Sequence, residues 1–281
     1  MAGGFNRAPA RGRDLGALAI QIFTRPPQQW AAVSIPPEMG AAFQQALEDN
    51  GIVAAVAHAI YLINLASPKD DLWRRSIDGF VGEIERCATL GIERLIIHPG
   101  SCRGEAREWG LRRVLEALEE CAVRTARTKV GMLLEITAGG GSTLGATIEE
   151  MAWIISRYST PGRLGLCLDT AHAFTSGYPL HEPHGLERLL DEVESAIGLD
   201  KLGCLHVNDS ATPWGSHRDR HARIGRGALG REFFRRLLAE ERLFGRPKIL
   251  EIPGGDQFFA EDLKLLARLA PKEKKCGTLF S

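Results

Sequence analysis

The stretch LGLCLDTAH, residues 164–172, decides the fold of this chain. Its apolar part is short and lies between Pro161-Gly162 and the polar residues 175–177, so the pattern predicts a buried strand rather than a helix. Asp169 stands at the end of that strand, and His172 is expected on the loop beyond it. Carboxylate oxygen and imidazole nitrogen suit zinc, manganese or iron. A single Asp-x-x-His is equally consistent with a structural pair.

The same design recurs along the chain. Six further strand candidates are residues 17–23, 52–58, 94–100, 131–135, 202–209 and 247–253, and helix-period segments between them are residues 72–90, 111–123, 148–158, 186–197 and 232–243. Strands that alternate with helices predict parallel pairing through helical crossovers. From the second strand onward, successive strand ends lie 34 to 45 residues apart. This spacing fits either a doubly wound open sheet or a (β/α)8 TIM barrel.

Ligand-type residues at the strand ends favour the barrel. Six of the seven strand ends carry His58, His98, Glu135, Asp169, His206 and Glu251. In a barrel these ends converge on one mouth, whereas an open sheet would spread them along a line. The fold class we predict is therefore α/β, a TIM barrel, with residues 1–281 forming a single domain.

The strand count is one short of eight. Gly3-Gly4 resembles a loop that should follow a strand, but no strand candidate precedes it. Either the true start lies a few codons upstream or the chain lacks the first barrel strand. Mass spectrometry of the native N-terminus separates the two. A missing strand leaves two unpaired edges, which predicts instability or association.

Composition restricts the class of protein. An apolar fraction of 44% and a charged fraction of 25% are typical of a soluble globular protein, and 35 basic residues balance 35 acidic ones. Residues 215–248 hold ten Lys/Arg against four Asp/Glu, which predicts either a solvated surface or a phosphate-facing edge. Six scattered cysteines favour a reducing compartment, and the chain has no apolar run of membrane-spanning length. A cytoplasmic location is expected.

Three more ligand-type residues complete a candidate metal constellation. They are His172 and the pair Asp219 and His221, whose alternation lets both side chains face one side of an extended segment. Any one of the nine alone is more simply a structural residue. Together they would bury many charges at several kcal/mol per ion, so divalent cations are the natural counter-charge. Nine ligands without thiolates suit a catalytic cluster of two or three ions.

Motifs along nearly the whole chain resemble endonuclease IV, the deoxyribonuclease IV or AP endonuclease 2 family. They are AHAIYLINLA (57–66), IHPGS (97–101), LEITAGGGS (134–142), CLDTAHAF (167–174), LHVNDS (205–210), DRHARIG (219–225) and ILEIP (249–253). The resemblance implies a xylose-isomerase-like (β/α)8 barrel with three Zn²⁺ ions, for which Mn²⁺ can substitute. It implies hydrolysis of DNA 5′ to abasic sites in base-excision repair, leaving a 3′-hydroxyl and a 5′-deoxyribose phosphate.

The resemblance also implies roles for individual residues. One zinc would be held by His58, His98 and Glu135, a second by Glu135, Asp169, His206 and Glu251, and the third by His172, Asp219 and His221. Glu135 would bridge two ions and is the catalytic residue. Gln28, Tyr61 and Leu62 match DNA-binding positions, and the implied partner is double-stranded DNA with abasic sites, bound by a monomer.

Three positions depart from the family pattern. Gln28 stands where some members have arginine, and His217 and Arg226 stand where Arg and Glu are expected. Two other functions stay open at this point. A sugar isomerase or epimerase of the same barrel type should lack the third ligand set, and an inactive DNA-binding or metal-binding remnant would bind without turnover.

Overall fold

Seven parallel strands form the wall of the barrel in the part of the chain that the structure describes. The computed structural model describes residues 4–31 and 34–271. Within these residues the paired strands run in chain order β1-β2-β3-β4-β5-β6-β9, and β7 and β8 form a separate antiparallel pair. The strands are β1 (Ala19–Phe23), β2 (Ala54–His58), β3 (Arg94–Ile97), β4 (Gly131–Glu135), β5 (Leu164–Asp169), β6 (Leu202–His206), β7 (Asp209–Ser210), β8 (His221–Ala222) and β9 (Lys248–Ile249).

Helices connect these strands and cover the barrel. They are α1 (Arg7–Leu15), α2 (Pro37–Asp49), α3 (Asp70–Leu90), α4 (Arg107–Arg124), α5 (Ile148–Arg157), α6 (Thr170–Ser176), α7 (Gly185–Ala196), α8 (Gly230–Ala239) and α9 (Asp256–Leu269). The main core packs these helices on the strands. A second, smaller core fills the barrel interior with Ala19, Val56, Ile96, Leu133, Cys167, Cys204 and Ile249. All six residues of β5 are buried, which explains its continuous apolar run.

The barrel is open between β1 and β9, which are the two edges of the sheet. Side chains cross this opening, which we call the seam. Gln21 on β1 donates from Nε2 to Oε1 of Glu251, just past β9, at 2.6 Å. On the outside, Arg11 of α1 is paired with Asp256 of α9. For residues 4–31 and 34–271, the prediction of seven parallel strands in a (β/α)8 plan with one strand missing is therefore confirmed.

Several boundaries differ from the sequence prediction. Residues 202–209 do not form one strand, because β6 ends at His206 and β7 begins at Asp209. The last barrel strand is only Lys248–Ile249, much shorter than the predicted 247–253. The expectation that His172 lies on a loop is wrong, since α6 starts directly after Asp169. The sequence prediction also missed α2 and α9, although α2 begins with Pro37 at its first helical position and both helices carry an acidic residue in the first turn.

No helix among the described residues is long and apolar enough to cross a membrane. The five cysteines in the described part of the chain are free and buried, and Cys276 lies outside it.

Candidate metal centre

The nine sequence-predicted ligands come together at the carboxyl ends of the strands. His58, Glu135, Asp169 and His206 are the last residues of β2, β4, β5 and β6. His98 and Glu251 follow β3 and β9 within two residues, His172 lies in α6, and Asp219 and His221 belong to the segment around β8. Most of these side chains are buried, but Asp219 is 54% exposed and His98 33% exposed. The site therefore opens to solvent beside Asp219 and His98.

The first group is His58, His98 and Glu135, whose ligand atoms lie within 4.8 Å of one another. Oε2 of Glu135 is 3.0 Å from Nε2 of His58 and 3.1 Å from Nε2 of His98. Two imidazole nitrogens and a carboxylate oxygen at this separation can share one divalent cation.

The second group is Glu135, Asp169, His206 and Glu251, again within 4.8 Å. Nδ1 of His206 is 3.0 Å from Oε1 of Glu135 and 3.1 Å from Oε2 of Glu251. Glu135 thus directs one oxygen to the first group and the other to the second. A carboxylate placed in this way can bridge two ions.

The third group contains one more residue than the resemblance implied. His172, His221 and Asp169 satisfy the same 4.8 Å limit. Asp219 joins them, with Oδ2 3.2 Å from Nε2 of His172 and Oδ1 3.4 Å from Nε2 of His221. Asp169 therefore lies between the second and third groups, as Glu135 lies between the first and second.

Main-chain carbonyls orient three of the histidines. Nδ1 of His58 bonds to the carbonyl of Ala59 (2.7 Å), that of His172 to Ile136 (2.9 Å) and that of His221 to Glu251 (2.8 Å). A carbonyl can only accept, so each Nδ1 carries a proton, and in the neutral imidazole each Nε2 presents a lone pair to the site. This arrangement is the usual support of a metal-binding imidazole.

Two of these inward nitrogens lack a hydrogen bond. Nε2 of His172 and Nε2 of His221 are buried and have no hydrogen-bond partner among the described residues, although both face carboxylate oxygens. An unpaired buried polar atom costs about 1–3 kcal/mol, so it calls for an explanation. A divalent cation held by these nitrogens and the facing carboxylates supplies one, and the donor set fits zinc.

Without a cation, protons supply the positive charge of the site. Burial opposes ionisation of Glu135, yet the charges of His206 and His98 hold its pKa well below the usual value. Burial likewise opposes protonation of His206 and His172, but the adjacent carboxylates raise the pKa of both imidazoles well above the usual value. These shifts indicate a site built to hold positive charge.

Local sequence explains how Asp169 is placed. Its Oδ1 accepts the backbone N–H of His172 at 2.8 Å, so Asp169 is the N-cap of α6. The Asp-x-x-His spacing is thus the spacing between an N-cap residue and the third residue of the helix that it caps. The other oxygen, Oδ2, accepts from Nδ2 of Asn208 at 2.6 Å and stays directed toward the metal groups.

Two buried or half-buried polar residues around the ligands were missed from sequence. Asn208 also accepts the backbone N–H of Glu251 through Oδ1 (2.7 Å), which ties the end of β9 to Asp169. Gln21 contacts both His206 and Glu251. A signal was available for each: Asn208 follows His206 by two residues, and Gln21 interrupts the apolar strand AIQIF.

The predicted DNA-contacting residues lie on loops after β1 and β2. Gln28 is exposed, Tyr61 is 58% exposed and Leu62 is half-buried. The Tyr61 ring lies 5.8 Å from the His58 ring, so it stands at the rim of the ligand cluster.

Residues 215–248, for which a solvated surface or a phosphate-facing edge was expected, include basic side chains that are engaged inside the protein. Arg242 pairs with Asp191 and Glu240, Arg246 bonds to the carbonyls of Leu199 and Leu202, and Lys248 is buried. These residues serve the packing of the barrel. Of the basic residues in this segment, Arg220 lines the mouth with the ligands.

Comparison with known proteins agrees with this architecture. The family model for the xylose isomerase-like TIM barrel matches residues 9–269. A curated protein of Geobacter sulfurreducens, named probable endonuclease 4, is 42% identical over 272 residues, covering 96% of this chain and 92% of its own length.

Solved structures show the same relationship. The crystal structure of endonuclease IV from Thermus thermophilus has a TM-score of 0.84 and 34% identity, covering 96% of this chain and 95% of that one. A D-tagatose 3-epimerase-like protein has a TM-score of 0.70 at 19% identity, covering 90% and 88%. The second likeness concerns the fold alone.

Proposed function

This chain belongs to the endonuclease IV family of xylose isomerase-like TIM barrels, and we propose that it is a zinc-dependent apurinic/apyrimidinic endonuclease of base-excision repair. It hydrolyses the phosphodiester bond 5′ to an abasic site in double-stranded DNA and leaves a 3′-hydroxyl and a 5′-deoxyribose phosphate. The nine side chains at the barrel mouth would hold three Zn²⁺ ions per chain.

The observation that supports this proposal best is the sharing of carboxylates between ligand groups. Glu135 contacts histidines of the first and second groups, and Asp169 contacts those of the second and third. Shared carboxylates hold cations close together, which is the arrangement used for in-line displacement at phosphorus. When bound there, the ions lower the pKa of water toward neutrality and offset charge on the attacking and leaving oxygens.

The chain itself supplies orientation and access. Backbone carbonyls fix the rings of His58, His172 and His221, so these ligands need no rearrangement. The exposed side of the cluster, with Asp219 and His98, is the side from which a phosphate can approach. An abasic nucleotide has no base to unstack, so turning it out of the duplex toward this side is cheap.

Two alternatives are less well supported. A sugar isomerase or epimerase of this barrel type should lack the third ligand set, whereas His172, Asp219 and His221 lie together here. An inactive remnant would follow from the open seam, but the seam leaves the ligands assembled. Stoichiometric DNA binding without turnover would identify such a remnant.

The direct test is cleavage of a duplex that carries one tetrahydrofuran abasic analogue. The zinc-loaded protein should make one cut on the 5′ side of the analogue. His221→Ala should reduce the rate by more than the roughly 10–100-fold typical of residues that only support a ligand. His184→Ala is the control, because His184 is exposed and pairs with Glu187 at the start of α7. A folded, zinc-loaded protein that leaves the duplex intact contradicts the proposal.

A second test concerns the proposed DNA contacts at Gln28, Tyr61 and Leu62. Tyr61→Ala should raise KM for the abasic duplex by about 10–100-fold, since stacking of an aromatic ring on a base contributes about 1–3 kcal/mol. Zinc content should not change. Val53→Ala is the control, because Val53 is equally exposed but lies before β2, at the opposite end of the barrel. An unchanged KM would remove Tyr61 from the DNA interface.

A further inference from the structure

His206 is oriented differently from the three histidines that carbonyls hold. Its Nδ1 faces Glu135 and Glu251 at 3.0 and 3.1 Å. Its Nε2 faces away from the ligand cluster and lies 2.8 Å from Oε1 of Gln21. If Nδ1 is the ligand atom, Nε2 must carry the ring proton and needs an acceptor. A side chain supplies that acceptor here.

The same amide supports a second ligand. Nε2 of Gln21 donates to Oε1 of Glu251 at 2.6 Å, which leaves Oε2 of Glu251 directed toward His206 Nδ1 at 3.1 Å. The orientation of the amide follows from its partners. A carboxylate oxygen only accepts, so the NH₂ group must face Glu251 and the carbonyl must face His206.

Gln21 lies on β1, at an edge of the open barrel. Val53 N–H donates to the carbonyl of Leu18, so backbone groups of alternate β1 residues, including Gln21, turn toward the seam. The seam itself is lined by α1, β1, β9 and α9. The Gln21 side chain therefore joins an edge strand to two ligands, one on β6 and one beyond β9.

We propose that Gln21 is a positioning residue of the second metal group, which sets the tautomer of His206 and the rotamer of Glu251 by one amide hydrogen-bonded to both. The rings of His58, His172 and His221 are held by main-chain carbonyls, which a substitution cannot remove. Support for His206 depends on a side chain, so one mutation abolishes it. This proposal deepens the proposed function and rests on its metal assignment, not on the identity of the DNA lesion.

The test measures zinc affinity without DNA. Gln21→Met keeps the length of the side chain but neither accepts from His206 nor donates to Glu251. Gln21→Glu keeps the acceptor for His206 but loses the donor to Glu251. Gln44→Met is the matched control, because Gln44 also donates from a side-chain amide, to the carbonyl of Leu90, at the end of the barrel away from the ligands. Each protein is titrated with a chromophoric chelator, and the unfolding midpoint is measured after removal of zinc.

We expect one of the bound zinc ions to be held about 10–100-fold more weakly in Gln21→Met, with a weaker defect of the same kind in Gln21→Glu. The zinc-free unfolding midpoint of Gln21→Met should match that of Gln44→Met, which separates ligand support from a general loss of packing. If Gln21→Met does not fold, Gln21→Glu decides. Wild-type zinc affinity in the Gln21 variants overturns the proposal. Failure of the wild-type protein to cleave an abasic duplex would instead count against the proposed function.

Discussion

At the scale of single residues, the buried carboxylates of the site favour positive charge, either on the histidines or on bound cations. Carboxylates on β4, β5 and the segment after β9 surround His206 and His172, and they raise the pKa of both imidazoles well above the usual value. Protons and divalent cations therefore compete for the same atoms. The outcome of this competition should depend steeply on pH near neutrality.

Zinc-free and zinc-loaded protein should respond to pH in opposite directions. A histidine whose folded pKa is raised stabilises the fold below the unfolded pKa of about 6.5, and the effect is lost as pH rises through the folded pKa. The zinc-free protein should therefore lose stability as pH rises above about 6.5 and through the folded pKa of these histidines. The zinc-loaded protein should gain stability over the same interval, because protons no longer displace the metal.

Thermal unfolding with EDTA and with saturating zinc, at several pH values from about 5.5 to 9, checks this prediction. Glu135 and Glu251 do not disturb the comparison, since their lowered pKa values place their titration below this window. Unfolding midpoints that shift with pH in parallel in the two series would show that the histidines do not hold the metal.

At the scale of elements, close helix packing positions the outer layer of the barrel. Gly40 of α2 lies against the end of α3, where a Cβ would be 1.9 Å from the carbonyl oxygen of Thr89. The backbone of Thr89 cannot move aside for a new methyl group as the flexible end of a side chain can. A glycine at this point lets the two helices approach as closely as their neighbouring strands require.

Gly40→Ala should lower the free energy of unfolding by about 1–3 kcal/mol, the usual cost of overpacking. Gly82→Ala is the matched control on α3, where the nearest atom to a new Cβ is the guanidinium end of Arg86 at 3.1 Å. That variant should gain up to about 1 kcal/mol from helix propensity. Chemical denaturation of both variants gives the comparison, and equal stabilities would mean that α2 and α3 do not pack as described.

The sequence predicts the order and type of most elements, because apolar runs and helix periods alternate regularly. It predicts β5 well, since a strand buried on both faces is apolar throughout. It fails at β9, where only Lys248–Ile249 pairs although residues 247–253 look like a strand. Pairing needs a neighbour, and the only strand paired with β9, β6, ends at His206 opposite Ile249, so the residues after Ile249 meet no strand among the described residues.

The strand ends in the sequence predict most of the ligand residues. They do not predict which carboxylates lie between two ligand groups. Periodicity places Asp169 at the end of β5, yet only the folded geometry shows that it caps α6, accepts from Asn208 and faces His221. The support from Gln21 depends on the curl of the barrel, which brings β1 beside β9 and lets the Gln21 side chain reach His206 at the end of β6. A polar residue within the apolar strand AIQIF marks Gln21 in the sequence, but the identity of its partners is visible only in the fold.

At the scale of the whole molecule, the seam is the main departure from a closed barrel. Among the described residues, the edges of β1 and β9 face each other without a strand between them, and the helices α1 and α9 meet over the opening. Gly4, Arg7 and Arg11 line its outer side. Among the described residues, the seam is therefore bridged by helix and side-chain contacts and not by strand pairing.

Because Asp169 both caps α6 and faces the metal groups, the backbone amide of His172 can report whether a metal is bound. One oxygen holds the amide proton of His172 at the start of α6, while the other faces the cluster and Asn208. Any change in the electron density of that carboxylate must alter the chemical shift and solvent exchange of a single, identifiable amide. Nuclear magnetic resonance of a ¹⁵N-labelled sample should therefore measure metal occupancy from the amide signal of His172, with no dye, chelator or nucleic acid added.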